Sequence, residues 1–240
     1  MERNYPQKPG LELILKQAYY YWSKTLAFQL IFSIMYFGIM ITAMYFFAGR
    51  FGIYEYTAQL QEAFAQGTQA YLEKSQELGA TENMMYFTYA LIGTSVFLYP
   101  LNIGFFQIYR KMDLGEVVTF NDLLVGYNGF NFFRYISYFV FWILTYLMIA
   151  QTLILPIVWV MGTLFVAPLM FFQNKRIFEG MALNFKALKM FFVEILVAVL
   201  IAFFFKYLGF MVFLVGGLFT FPFWNAMIYA LYRNIFVENS

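Results

Sequence analysis

The sequence predicts an all-α polytopic membrane protein: six transmembrane helices paired as three hairpins, each pair introduced by an amphipathic interfacial helix on the cytoplasmic surface. Three observations carry that prediction. Of the 240 residues, 62% are hydrophobic and 12% charged, against about a quarter charged in a soluble domain. Six stretches, roughly 25–47, 84–109, 135–152, 153–172, 190–208 and 210–232, reach the about 20 apolar residues a helix needs to cross a hydrocarbon core. Runs such as "LVAVLIAFFFKYLGF" lack the alternation of barrel strands, and lipid leaves the backbone no third way of satisfying itself.

Orientation follows from the basic residues. Residues 1–24 are too polar for a signal-peptide core and hold no small-residue cleavage site, so the first span is expected to remain as an anchor. With the N-terminus inside, Arg3, Lys8, Lys16, Lys24, Arg110, Lys111, Arg134, Lys175, Arg176, Lys186, Lys189 and Arg233 are cytoplasmic, and only Arg50, Lys74 and Lys206 lie outside. This asymmetry places both termini in the cytoplasm. The net charge of +2 makes no case for nucleic acid.

The chain reads as a single integral membrane domain, 1–240, with similar units at about 9–110, 120–173 and 177–233. In each, the second helix carries a Gly, a Thr or Gly, and an apolar run closed by proline: "IGTSVFLYP" to Pro100, "MGTLFVAP" to Pro168 and "VGGLFTFP" to Pro222. Proline has no N–H and clashes with the preceding turn, so these are the expected helix breaks. Each first helix has a preface, "LELILKQAYYYWSK", "FNDLLVGYNGFNFFR" or "FEGMALNFKALK", with an acid (Glu12, Asp122, Glu179) near its start and a base (Lys24, Arg134, Lys189) near its end, as the helix dipole favours. In the third, Met181, Phe185 and Leu188 fall on one face opposite Lys186. Such prefaces are expected to lie on the inner leaflet. Gly126 and Gly129 would loosen the middle one. Residues 48–83 break the pattern: Leu60, Phe64, Tyr71 and Leu78 align on a helical face interrupted by Gly67, predicting an extracytoplasmic bent helix or hairpin that caps the bundle or docks a partner.

Chemistry is restricted by what is missing. The chain has no His and no Cys, which removes the usual general bases, activated nucleophiles and soft-metal ligands, and the carboxylates are not clustered for a hard cation. No catalytic, metal or cofactor residue is expected. Of the ionisable residues in span five, Lys206 is expected to snorkel to the outer interface, and Glu194, about a turn inside the cytoplasmic boundary, is a possible functional group paired with Lys189 or a neighbour. Asn102 and Asn225 follow their prolines at matching positions, while Thr94, Ser95 and Thr163 follow the glycines. These polar groups serve either interhelical hydrogen bonding or a central polar cavity between broken helices.

From Pro156 onward, "ILPIVWV", "FVAPLMFF", "FEGMALNFKALK" and "FPFWNAMIYALYRNIF" resemble a group of bacterial six-span membrane proteins: the YciC-like proteins and the membrane domain fused to some glycerophosphoryl diester phosphodiesterases. That group often has Ser where this chain has Asn184 or Phe185. The resemblance implies a bacterial inner-membrane protein of envelope homeostasis, and the phosphodiesterase activity does not carry over because that domain is missing here. The sequence therefore predicts a non-enzymatic accessory or scaffold protein that binds lipids or other integral membrane proteins, through adaptable Phe, Tyr and Met faces, in envelope assembly or maintenance. The alternatives are a small transporter or channel for a lipid-like or apolar substrate and, further off, a lipid-acting enzyme that depends on Glu194.

Overall fold

The computed structural model describes residues 10–152, 154–212 and 214–237, with no strand among the described residues; Arg3 and Lys8, counted in the charge asymmetry, lie outside them. The helices are α1 (Leu11–Lys24), α2 (Leu26–Arg50), α3 (Ile53–Gln66), α4 (Thr68–Gly79), α5 (Glu82–Leu98), α6 (Pro100–Asp113), α7 (Phe120–Leu123), a 3-10 turn (Val125–Tyr127), α8 (Phe130–Ile149), α9 (Leu155–Thr163), α10 (Val166–Gln173), α11 (Ile177–Met190), α12 (Phe192–Val212), α13 (Leu214–Thr220) and α14 (Phe223–Phe236). Five stretches are long and apolar enough to cross a membrane: Leu26–Arg50, Glu82–Asp113, Phe130–Ile149, Leu155–Gln173 and Phe192–Met211. They coincide with the first five expected spans. The sixth, 210–232, is not one helix: a turn at Phe221 and Pro222 divides it into α13 and α14, of 7 and 14 residues. Neither reaches spanning length by itself.

The chain forms two units, one of Met35–Leu98 and one of the residues up to Ile34 together with those from Tyr99 onward. In the smaller, α3 and α4 pack on each other across Gly67, whose φ of 124° only glycine adopts without strain. This is the expected hairpin, but its face differs from the expected one. Ala63 and Leu78 are buried, whereas Phe64 is 68% exposed and meets the Tyr71 ring edge-on at 5.9 Å.

In the larger unit each preface packs on a helix that carries or follows one of the prolines. The α7 and 3-10 segment lies on α6, α11 lies on α9 and α10, and α1 lies on α14, so the succession closes on itself. Ile14, Ala18 and Tyr21, at helical spacings of four and three, form the buried stripe of α1. Asp122 and Glu179 act as caps, their carboxylates accepting the backbone N–H of Thr119 at 2.7 Å and of Arg176 at 3.0 Å.

Two prefaces depart from expectation. The middle one is not one helix: it is broken between Leu123 and Phe130, and "FNFFR" belongs to α8. The break lets glycine meet backbone, since a Cβ on Gly126 would stand 2.2 Å from the Pro100 carbonyl oxygen, and one on Gly104 would stand 2.2 Å from that of Leu123. In α11 the buried face is Gly180, Asn184 and Ala187. Met181 and Leu188 are half-buried and Phe185 is 41% exposed, its ring tip resting on Gly162, because the helix centres its smallest residues and one amide, rather than its largest apolar ones, on the contact with α9 and α10.

These close approaches predict that Gly126→Ala and Gly104→Ala each destabilise the protein by about 1–3 kcal/mol through overpacking. Gly93→Ala, inside α5 where nothing lies within 4 Å, leaves stability unchanged or raises it by up to about 1 kcal/mol. Thermal unfolding in detergent followed by circular dichroism separates them; equal midpoints for all three would refute the packing.

Candidate functional site

The polar side chains of the larger unit gather where α1, α6 and α14 meet. Arg233 Nη1 donates to Asp113 Oδ1 and to the Tyr21 hydroxyl, both at 2.7 Å. Tyr21 in turn donates to Asp113 Oδ1, and Tyr229 to Oδ2, each at 2.7 Å. One carboxylate thus receives two phenols and a guanidinium. The rings of Tyr21, Tyr109 and Tyr229 close a triangle with centroids 5.0 to 5.4 Å apart. Burial, and then the bond to Asp113, push the Tyr21 hydroxyl well above the usual phenol range, so it stays a donor.

Below this cluster, Gln29 Nε2 donates to Thr25 Oγ1 at 2.9 Å and to the Tyr109 hydroxyl at 3.1 Å. Gln29 Oε1 is buried without a hydrogen-bond partner among the described residues. Asn225 Nδ2 donates to Asn102 Oδ1 at 3.1 Å, and Asn102 Nδ2 to the Tyr99 carbonyl at 3.1 Å. The two asparagines that follow their prolines therefore meet directly. Their amides are engaged with each other and with backbone, as in interhelical packing.

Two helix breaks are closed by side chains from other segments. In an unbroken helix the Phe165 N–H would bond the Met161 carbonyl. Instead the Asn184 amide enters between them, with Oδ1 accepting from Phe165 N at 2.7 Å and Nδ2 donating to Met161 O at 2.9 Å. Three residues on, Pro168 has no N–H to give to Leu164. At the other break Pro222 cannot donate to Leu218; Ser33 Oγ does so at 2.6 Å, and Trp22 Nε1 donates to the Phe219 carbonyl at 2.7 Å. At Pro100 the contact is steric, with Gly126 seated on its carbonyl.

Other expected residues have local roles. Thr94, Ser95 and Thr163 donate to the carbonyls four residues back, at 2.9, 2.9 and 2.7 Å. Glu194 stands half-buried in the first turn of α12, where a helix N-terminus favours a carboxylate. The Lys206 ammonium lies 4.3 Å from the centroid of the Phe221 ring, a cation–π contact. Arg134 reaches Asn174 Oδ1 at 2.6 Å and also the Lys175 carbonyl. Asp122 is paired with Lys111 at 2.8 Å. Burial would raise its pKa, but the bonds from Lys111 and Thr119 prevail and hold the carboxyl below its ordinary value.

Sequence reasoning missed Tyr21, Gln29, Asp113, Asn184 and Tyr229. A signal existed for Asp113, since a carboxylate in the last turn of α6 opposes the helix dipole and calls for a compensating partner. Chemically the cluster ties helices together: three donors from α1 and α14 converge on the carboxylate oxygens of Asp113 in α6. Among the described residues no three acidic side chains gather as a metal site. Comparison with family models, curated proteins and solved structures finds no match to this chain.

The amide closure of the α9–α10 break predicts that Asn184→Leu, which leaves a buried donor and acceptor unpaired, costs about 2–4 kcal/mol. Asn184→Asp, which keeps the acceptor for Phe165, falls between the two. Chemical denaturation in mixed micelles measures this, and an Asn184→Leu protein as stable as the parent would disprove the closure.

Proposed function

We propose that the protein is a non-enzymatic accessory or scaffold subunit of a bacterial inner membrane, crossing it six times as three related units with both termini cytoplasmic. It binds lipids or other membrane proteins in envelope assembly or maintenance, and it belongs with the YciC-like group that its motifs resemble. The observation that carries this reading is how the apolar and polar surfaces are divided. The polar side chains at the meeting of α1, α6 and α14 are engaged with one another. The apolar flanks are open: only 11% of the spanning window is buried in each of Leu26–Arg50 and Phe130–Ile149.

On α2 a shallow cleft of about 370 Å³ is lined by Gly38, Ile39, Thr42, Ala43 and Phe46. Small residues four apart suit the close approach of another membrane helix. A transporter for an apolar substrate is the second reading; the interrupted helices and the buried, unpartnered Gln29 Oε1 favour it.

Extraction from native membranes in a mild detergent is expected to yield the protein in a complex larger than itself, and Gly38→Leu to release the partner while the chain stays folded. Recovery of the protein alone, together with substrate flux into liposomes that contain only this protein, would reject the scaffold in favour of the transporter.

A further inference from the structure

The face of α11 opposite Gly180, Asn184 and Ala187 carries Phe178, Ala182, Phe185 and Lys189 at spacings of four, three and four, with Lys186 and Met190 beside them; the tip of the Phe185 ring reaches back onto Gly162 of α9. All are exposed: Phe178 by 72%, Phe185 by 41% and Met190 by 42%. Phe178 touches the Phe141 ring at 5.8 Å and leaves the rest of its surface open. Phe191 alone separates the end of α11 from α12, a helix long and apolar enough to span a membrane. The last turn of α11, where Lys186, Lys189 and Met190 sit, is therefore held at the edge of the apolar layer. Lys175, Arg176, Lys186 and Lys189 outnumber the one acid of this stretch, Glu179, whose carboxylate is occupied as the cap at Arg176.

We infer that this face of α11 is a docking surface for anionic phospholipid in the leaflet where α12 begins. Phe178 and Met190 enter the acyl boundary, and Lys186 and Lys189 hold phosphate headgroups. Aromatic and apolar groups alternating with lysines match an interface that is greasy below and negatively charged above. The inference rests on the membrane reading above and names one class of lipid within it. It also shifts the face read from the sequence: Met181, Leu188 and the tip of Phe185 lie toward the protein, and Phe178 and Met190 are the apolar side chains left for the lipid.

The test uses the full chain in bilayers of equal parts phosphatidylglycerol and phosphatidylethanolamine. The chain has no cysteine, so Ala182→Cys gives a single labelling position. A fluorophore there is expected to be quenched by spin label carried at headgroup depth, and native mass spectrometry is expected to show phosphatidylglycerol retained in preference. Lys186→Gln with Lys189→Gln should lower that preference about fivefold for each lysine removed, with the thermal midpoint unchanged. Lys74→Gln, in α4, should leave the preference intact.

A label that the headgroup quencher does not reach, or a lipid preference unmoved by the two lysine changes, would overturn the inference. The membrane reading fails separately, if the unmodified chain is released from native membranes by alkaline carbonate washing. An accessory role fails separately too, on the complex recovered in detergent.

Discussion

A backbone carbonyl deprived of its N–H partner costs most where water cannot reach it, and this chain sets prolines at the helix junctions of its apolar stretches. Leu218 loses its donor to Pro222, and the Met161–Phe165 bond is lost at the turn before Pro168. Each such group, buried and unmade, would cost about 1–3 kcal/mol. Donors and acceptors from elsewhere in the chain make good the loss: the Asn184 amide on α11, and Ser33 and Trp22 around the junction of α1 and α2. This requirement fixes where the prefaces lie. Asn184 must face the gap, so Gly180 and Ala187 must face it too, and the large side chains of α11 flank that contact or stand outward.

The same logic explains the charged cluster. Asp113 and Arg233 lie near the ends of α6 and α14, with side chains 21% and 34% exposed, so their attraction alone is weak evidence of stability. Geometry matters more, because the α6 carboxylate takes donors from both α1 and α14, and the three helices cannot slide past one another without breaking several bonds together. The closely crossing glycines, Gly104 under Leu123 and Gly126 on Pro100, set the distance between segments in the same way. Breaks that would otherwise be hinges become fixed corners.

Much of this is legible in the sequence. Length and apolarity locate five spanning helices to within a few residues, because the hydrocarbon requirement acts on composition alone. Proline marks the breaks, and the match between Asn102 and Asn225 in their units points to a shared role, which is a direct hydrogen bond. The misses have one cause. A period of 3.6 identifies a stripe by its hydrophobicity, yet α11 buries Gly180, Asn184 and Ala187 because backbone groups and close approach, not apolar area, decide that contact. Sequence spacing also carries no information about which distant segment brings a donor, so the partnership of Tyr21, Asp113 and Tyr229, separated by up to 116 residues from one to the next, could not be read from it.

The dependence of the fold on closed breaks is open to direct measurement by amide hydrogen exchange in lipid nanodiscs. If the Asn184 amide completes the α9–α10 ladder, the N–H of Phe165 exchanges as slowly as those in the turns on either side of the break. Exchange at Phe165 as fast as in the exposed turn at Gly115 would mean that water enters the break, and would contradict closure by the amide.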